Sequence, residues 1–211
     1  PSLPFTLNSA VDNLCKNEFD HYRAKAEPHP MFIEHGIDAV PFAHEKMDEW
    51  RNNFKGIRHI NEEAGYNFGG AVDDIWEKPN GDLIVIDVKS TSKNVFDWED
   101  TYSKWEYAKG YRRQLEMYQW LLEKNGFNVA AEGYLVYYNG KKHEPMFNQQ
   151  LTFDLHLVKL ECDNSWVEEA VLNAKATLDG DMPKPSKSCE NCNYLRKRWE
   201  VSQKDPNKLV E

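Results

Sequence analysis

The chain has 211 residues, enough for one domain with a sizeable core and short for two full ones. Hydrophobic residues make up 40% and charged residues 29%, which excludes global disorder, and no run approaches the roughly 20 apolar residues of a membrane helix. The formal charge of −9 is uneven: residues 1–100 hold 10 Lys/Arg against 19 Asp/Glu, whereas residues 101–211 hold 16 of each. Such a balance does not favour a general polyanion binder, yet an acidic half suits a hard divalent cation.

Pro1-Ser2-Leu3-Pro4 has neither a basic nor an apolar region, so no secretory signal is expected. Only four cysteines are present, which predicts a reducing, cytoplasmic setting rather than a disulfide framework. The first helix is expected from Asn8 or Ser9, both good N-caps, with Val11, Leu14, Cys15, Phe19 and Tyr22 on one stripe. Pro28 and Pro30 end it. A second helix is expected after Pro41, carrying Phe42, Met47, Trp50 and Phe54.

Residues 69–89 predict a β-hairpin. Its arms are Gly70 to Trp76 and Leu83 to Lys89, and Lys78-Pro79-Asn80-Gly81-Asp82 is the turn. A polar loop from Ser90 to Asp100 precedes a long amphipathic helix, from about Tyr102 to Lys124, with Trp105, Ala108, Tyr111, Leu115, Tyr118 and Leu122 inward. Strands follow at Glu132 to Tyr138 and Leu151 to Leu160. A helix over 164–178 turns Trp166, Ala170, Val171, Ala174 and Leu178 inward, before a Pro- and Lys-rich tail. The expected fold is α/β, a mixed central sheet flanked by helices, in one domain over 1–211. Its parts are an N-terminal helical section over 1–60, a core over 61–160 and a helix with a Cys-containing tail over 161–211.

The hairpin carries the chemistry. Asp73 and Asp87 are each seven residues from Asn80, so a turn centred there sets the carboxylates opposite each other across the ladder. Directly opposite Cβ atoms lie about 4.5–5.5 Å apart. Alternation puts Lys89 on the face of Asp87 and sends Ile86 and Val88 to the other. Two unpaired buried anions repel, and a divalent cation between them removes the repulsion. The same spacing also fits an Asp–Lys pair at a solvent-facing strand end. Asp74 is the alternative to Asp73 if the register slips by one. Gln114 and Tyr118, four apart, share a helix face.

These residues resemble the PD-(D/E)XK nuclease superfamily in its RecB-like and CRISPR-associated exonuclease branch. Gly70-x-x-Asp73, Asp87-x-Lys89 and Gln114-x-x-x-Tyr118 stand in that branch's order. Leu14-Cys15-x-x-x-Phe19-x-x-Tyr22 is similar to its opening helix, and Pro183-x-Pro185 with Cys189-x-x-Cys192-x-Tyr194 to its end. The resemblance implies a restriction-endonuclease-like core and Mg2+ or Mn2+ held by Asp73, Asp87, His44 and the Val88 carbonyl. It implies Lys89 as the residue that orients the attacking water. Gln114 and Tyr118, with Arg112 and Arg113 beside them, would bind substrate DNA. Glu62 and Glu63 are expected to be solvated.

Relatives with a 4Fe–4S cluster use one N-terminal and three C-terminal cysteines. Cys15, Cys189 and Cys192 match three, while Lys197-Arg198-Trp199 occupies the region expected to hold the fourth. Both a cluster and zinc want four ligands, and a buried core thiol at Cys15 is the other reading. The functional expectation is a metal-dependent DNA exonuclease of recombination, repair or phage DNA processing, with any helicase or recombination partner on a separate chain. The competing readings are a catalytically silent module of the same fold that binds nucleic acid or a protein, and a small metal-binding protein built on the Cys tail.

Overall fold

A computed structural model describes residues 6–204, so the Pro1–Pro4 start lies outside the described residues. The elements run α1 (Thr6–Arg23), α2 (Pro30–Glu34), β1 (Val40–Pro41), α3 (Met47–Trp50), β2 (Ile57–Asn61), β3 (Tyr66–Gly70), β4 (Asp74–Glu77) and β5 (Leu83–Thr91). They continue with α4 (Trp98–Lys104), α5 (Glu106–Lys124), β6 (Val129–Gly140), β7 (Phe153–Glu161), α6 (Val167–Asp179) and α7 (Glu190–Lys204). The chain divides into a unit over 1–169 and a smaller unit over 170–211. The first holds both sheets and the second holds α7.

The main sheet has the order β1-β4-β5-β6-β7. All neighbours are antiparallel except β5 and β6, which are parallel. A parallel pair needs a crossover, and α4 and α5 supply it. Strand β5 is central, and its Leu-Ile-Val-Ile-Asp run is buried on both faces, as a near-continuous apolar strand should be. The sheet is therefore mixed and flanked by helices, as the sequence predicts.

Alternation along β5 divides the core. Ile84 and Ile86 face Cys15 and Phe19 of α1, Met31 and Phe32 of α2, and Trp76, Tyr134 and Val136 of the sheet. Phe32 and Trp76 have ring centroids 4.2 Å apart, and each ring buries enough apolar area to contribute about 1.5–3 kcal/mol or more. The opposite face receives α5 through the buried Ala108, Leu115 and Leu122. Gly133 makes this approach close, because a Cβ there would sit 3.4 Å from Leu115 Cδ1.

Several elements differ from the expectation. Leu14 leaves the α1 stripe and is exposed. Pro41 enters strand β1 opposite Trp76, so the helix that follows is the single turn α3, and Phe54 is 92% exposed. Residues 57–70 form an unpredicted hairpin, β2–β3, whose turn residue Gly65 takes φ +70°. Its Gly69-Gly70 end and polar residues hide the alternation of a strand. Helix α4 occupies part of the expected loop. Trp105 between α4 and α5 is extended, so the long helix is broken there and Trp105 is 55% exposed. Leu178 of α6 points to solvent, and the tail forms α7.

Candidate nuclease site

The register of the central hairpin runs from Asp74↔Ile86 to Glu77↔Leu83. One more step sets Asp73 opposite Asp87, although Asp73 itself lies just outside β4. The tight turn fixes this register: Gly81 N–H donates to Lys78 O and Lys78 N–H to Asp82 O, with Gly81 at φ +85°. Asp73 folds back on the second strand, and its Oδ2 accepts from the Val88 N–H at 2.7 Å.

A cleft of about 360 Å3 gathers Asp73, Asp87, Val88, Lys89, Gln114 and Tyr118. A larger one of about 510 Å3 is lined by Ile33, Ile37, Asp38, Glu77 and Lys78, and its lysine is taken up by Glu132 at 3.0 Å. Asp87 is buried, with Lys89 Nζ 2.6 Å from its Oδ2. Burial pushes the Asp87 carboxyl up to about 7; the Lys89 ammonium opposes this and the neighbouring Asp73 adds to it. Gln114 Nε2 donates to Tyr118 Oη at 2.6 Å. Burial pushes the Tyr118 phenol up to about 12, so it stays protonated. Gly70 is required by this ring: a Cβ there would lie 2.6 Å from Tyr118 Cε1.

Asp74 points to the opposite face. Arg23 Nη2 donates to its Oδ1 at 2.6 Å, Arg51 Nη2 donates to its Oδ2, and the Ile75 N–H adds a bond at 2.7 Å. Both arginines also bind Asp20. This cluster, buried at Asp74 and half-exposed at Asp20, ties α1 and the α3 end to β4.

Other expected residues lie elsewhere. His44 does not line the cleft; its ring stacks on Trp50 at 4.4 Å and meets Phe127 edge-on at 5.6 Å. Its Nδ1 accepts from the Lys46 N–H at 3.2 Å. Arg112 turns to Glu116, at 3.1 Å, and to the Glu161 carbonyl. Arg113 pairs with Glu106 at 3.1 Å, and neither arginine lines the cleft. Glu62 and Glu63 are exposed in the β2–β3 turn.

The matching cysteines fall in different units. Cys15 is buried in the core with its Sγ 3.4 Å from Tyr138 Oη, and burial pushes its thiol up to about 12. In the second unit, Cys189 precedes α7 and its Sγ accepts from the Cys192 N–H at 3.4 Å, which lowers that thiol. Among the described residues no three His, Cys, Asp or Glu side chains come together as a metal-holding group.

The sequence reading missed the helix α1 contribution. Asn8 and Asp12 line the cleft, and Lys16 binds Asp12 at 2.8 Å while lying 3.9 Å from Asp73. Their spacing of four is the available signal, since it sets all three on one helix face. Asn53 also lines the cleft, and nothing in its local sequence marks it.

The donor set fits a hard cation. Asp73 and Asp87 supply carboxylate oxygens, and Mg2+ commonly takes one or two carboxylates and keeps several waters. Asp87 Oδ2 is buried and, although close to Lys89, has no donor aligned for a hydrogen bond. Asp73, Asp87 and the Val88 carbonyl would hold such an ion.

Comparison with curated proteins and with solved structures returns no match. A family model does match, that of the PD-(D/E)XK nuclease superfamily, over residues 4–196. That span takes in every residue of the cleft, and the chain belongs to the PD-(D/E)XK nuclease superfamily.

Proposed function

We propose that the chain is a Mg2+- or Mn2+-dependent deoxyribonuclease of the RecB-like kind, an exonuclease acting in recombination, repair or phage DNA processing. The observation that carries this reading is the convergence of Asp73, just before β4, with Asp87 and Lys89 of β5 on one cleft. When bound there, a divalent ion supplies Lewis acidity and a more acidic water. Asp73 and Asp87 would hold that ion. The Lys89 ammonium, fixed against Asp87, donates to the attacking water or to a phosphate oxygen and offsets the charge that develops on it. The Gln114–Tyr118 pair offers a neutral donor surface for the flanking phosphate or sugar. Buried groups left short of partners are better explained by a reaction than by stability, because an uncompensated buried carboxylate is destabilising.

The test is hydrolysis of end-labelled linear DNA and closed circles, with Mg2+, Mn2+ or EDTA, beside Lys89→Ala. Metal-dependent loss of linear DNA, sparing of circles, and a fall of about 10²- to 10³-fold in the variant are expected. Cleavage that survives EDTA, or a fully active Lys89→Ala protein, would overturn the reading. Absence of cleavage by folded, metal-loaded protein would favour a silent binding module.

A further inference from the structure

Outside the cleft, one surface feature runs directly into it. The break at Trp105 turns this ring outward, and Tyr107 and Tyr111 follow along α5. Trp105 and Tyr107 have centroids 6.1 Å apart, and Tyr107 and Tyr111 are 5.6 Å apart. Tyr111 lines the cleft, and Lys89 Nζ lies 4.6 Å over its ring. Three rings thus lead from solvent to the Lys89–Asp87 pair. The outer two keep open faces, with Trp105 55% and Tyr107 45% exposed. A Cβ on Gly110 would meet nothing within 4 Å, so no side chain stands over the helix between Tyr107 and Tyr111.

The chemistry of this track selects its occupant. Between Trp98 and Gln114 the exposed large apolar residues are Trp105 and Tyr107 alone, with no aliphatic side chain to make a protein-docking face. The cations of residues 104–113 are paired, Lys104 with Asp100, Lys109 and Arg113 with Glu106, and Arg112 with Glu116, so the cation beside the rings is Lys89, over Tyr111. Aromatic faces beside cations bind unpaired bases by stacking, and every base has a face to offer. A paired base cannot leave its stack without cost. The overall negative charge also leaves little general attraction for a duplex, whose binding rests on phosphate neutralisation.

We propose that Trp105, Tyr107 and Tyr111 form a stacking track for single-stranded DNA that feeds the strand to Asp87 and Lys89. The inference rests on the nuclease reading of that cleft and names its substrate as the unpaired strand. Trp105 and Tyr107 are binding residues of the track.

The experiment measures anisotropy of a fluorescein-labelled single-stranded oligonucleotide and of the same sequence as a blunt duplex, in EDTA so that nothing is cut. Wild-type protein binds the single strand at least about tenfold more tightly. Trp105→Ala and Tyr107→Ala each weaken single-strand binding by about 5- to 100-fold and leave duplex binding unchanged. Trp105→Phe retains most of the affinity but loses the tryptophan quenching that the single strand causes. It also keeps the test valid if Trp105→Ala does not fold, as circular dichroism would reveal. Equal affinity for the two forms, no binding to either, or variants that bind as wild type would overturn the track. Because binding is read without metal, the two readings separate. A protein that binds by the track and never cuts sinks the nuclease reading, whereas one that cuts without track dependence sinks only this inference.

Discussion

Asp73 and Asp74 are adjacent in the chain and opposite in design. Asp74 is fully buried and meets two guanidiniums and a backbone N–H. On the other face, Asp87 has Lys89 against it, and Asp73 has one backbone donor with Lys16 3.9 Å away. The Asp74 carboxylate is satisfied at both oxygens and holds elements together. The second face keeps two carboxylates close and short of donors, the condition in which a cation is useful. One residue of strand alternation separates structure from chemistry.

The sharpest way to break this comparison is to remove Asp74. Asp74→Ala leaves Arg23 and Arg51 without their buried partner, and urea unfolding should show a loss of about 3–5 kcal/mol. Survival of full stability would mean that the clamp is ornamental. Asp87→Asn should do the reverse, losing about 10²- to 10³-fold in nuclease activity while remaining folded.

The pH dependence of that variant adds a sign. The Asp87 carboxyl stands at about 7 in the fold against 3.8 for the ordinary group. Between these values the folded protein keeps a proton that the unfolded chain has released, so raising the pH removes stability. Thermal unfolding in EDTA should therefore show wild type losing stability between about pH 4 and about pH 7, and Asp87→Asn losing less. Mn2+ should restore the wild type at the upper end. A wild type that gains stability over this range, relative to the variant, would contradict the assignment.

Smaller effects test the supports. Gly70→Ala forces the Tyr118 ring to shift, and should cost about 1–3 kcal/mol in unfolding experiments and lower activity through the Gln114–Tyr118 pair. His44→Ala should cost only about 0.5–1.5 kcal/mol, the worth of a stacked ring, and leave metal-dependent cleavage intact. A large, metal-rescuable loss of activity in His44→Ala would place that residue in the chemistry after all.

The turn and register of β4–β5 were legible because their parts agree, although the first arm is only Asp74–Glu77 and Gly70 belongs to β3. A β-branched run, a turn dense in Asn, Gly and Asp, and equal arms about Asn80 fix a register, and a register fixes which residues face each other. Long-range packing was not legible. Nothing local to Pro41-Phe42-Ala43-His44 says that Pro41 pairs with Trp76 or that Phe127 closes over the His44 ring. Arg112 and Arg113 were misplaced for a simpler reason. Successive helical residues turn by about 100°, so neighbours of Gln114 in sequence look away from its face. Asp12 and Lys16 were overlooked because a charged face on an amphipathic helix is usually solvated, and only the fold brings this one to Asp73. The β2–β3 hairpin was hidden by glycine, whose lack of a side chain weakens every strand signal.

The bond from the Val88 N–H to Asp73 has one more consequence. Val88 lies in β5, paired with β4 on one side and β6 on the other, yet its own amide is capped by a side chain from outside the ladder. Its exchange with deuterium, or its nuclear magnetic resonance frequency, therefore reports the posture of one carboxylate rather than the breathing of the sheet. A spectroscopist titrating Mg2+ could follow occupancy of the cleft at this single atom, with no substrate present and no turnover.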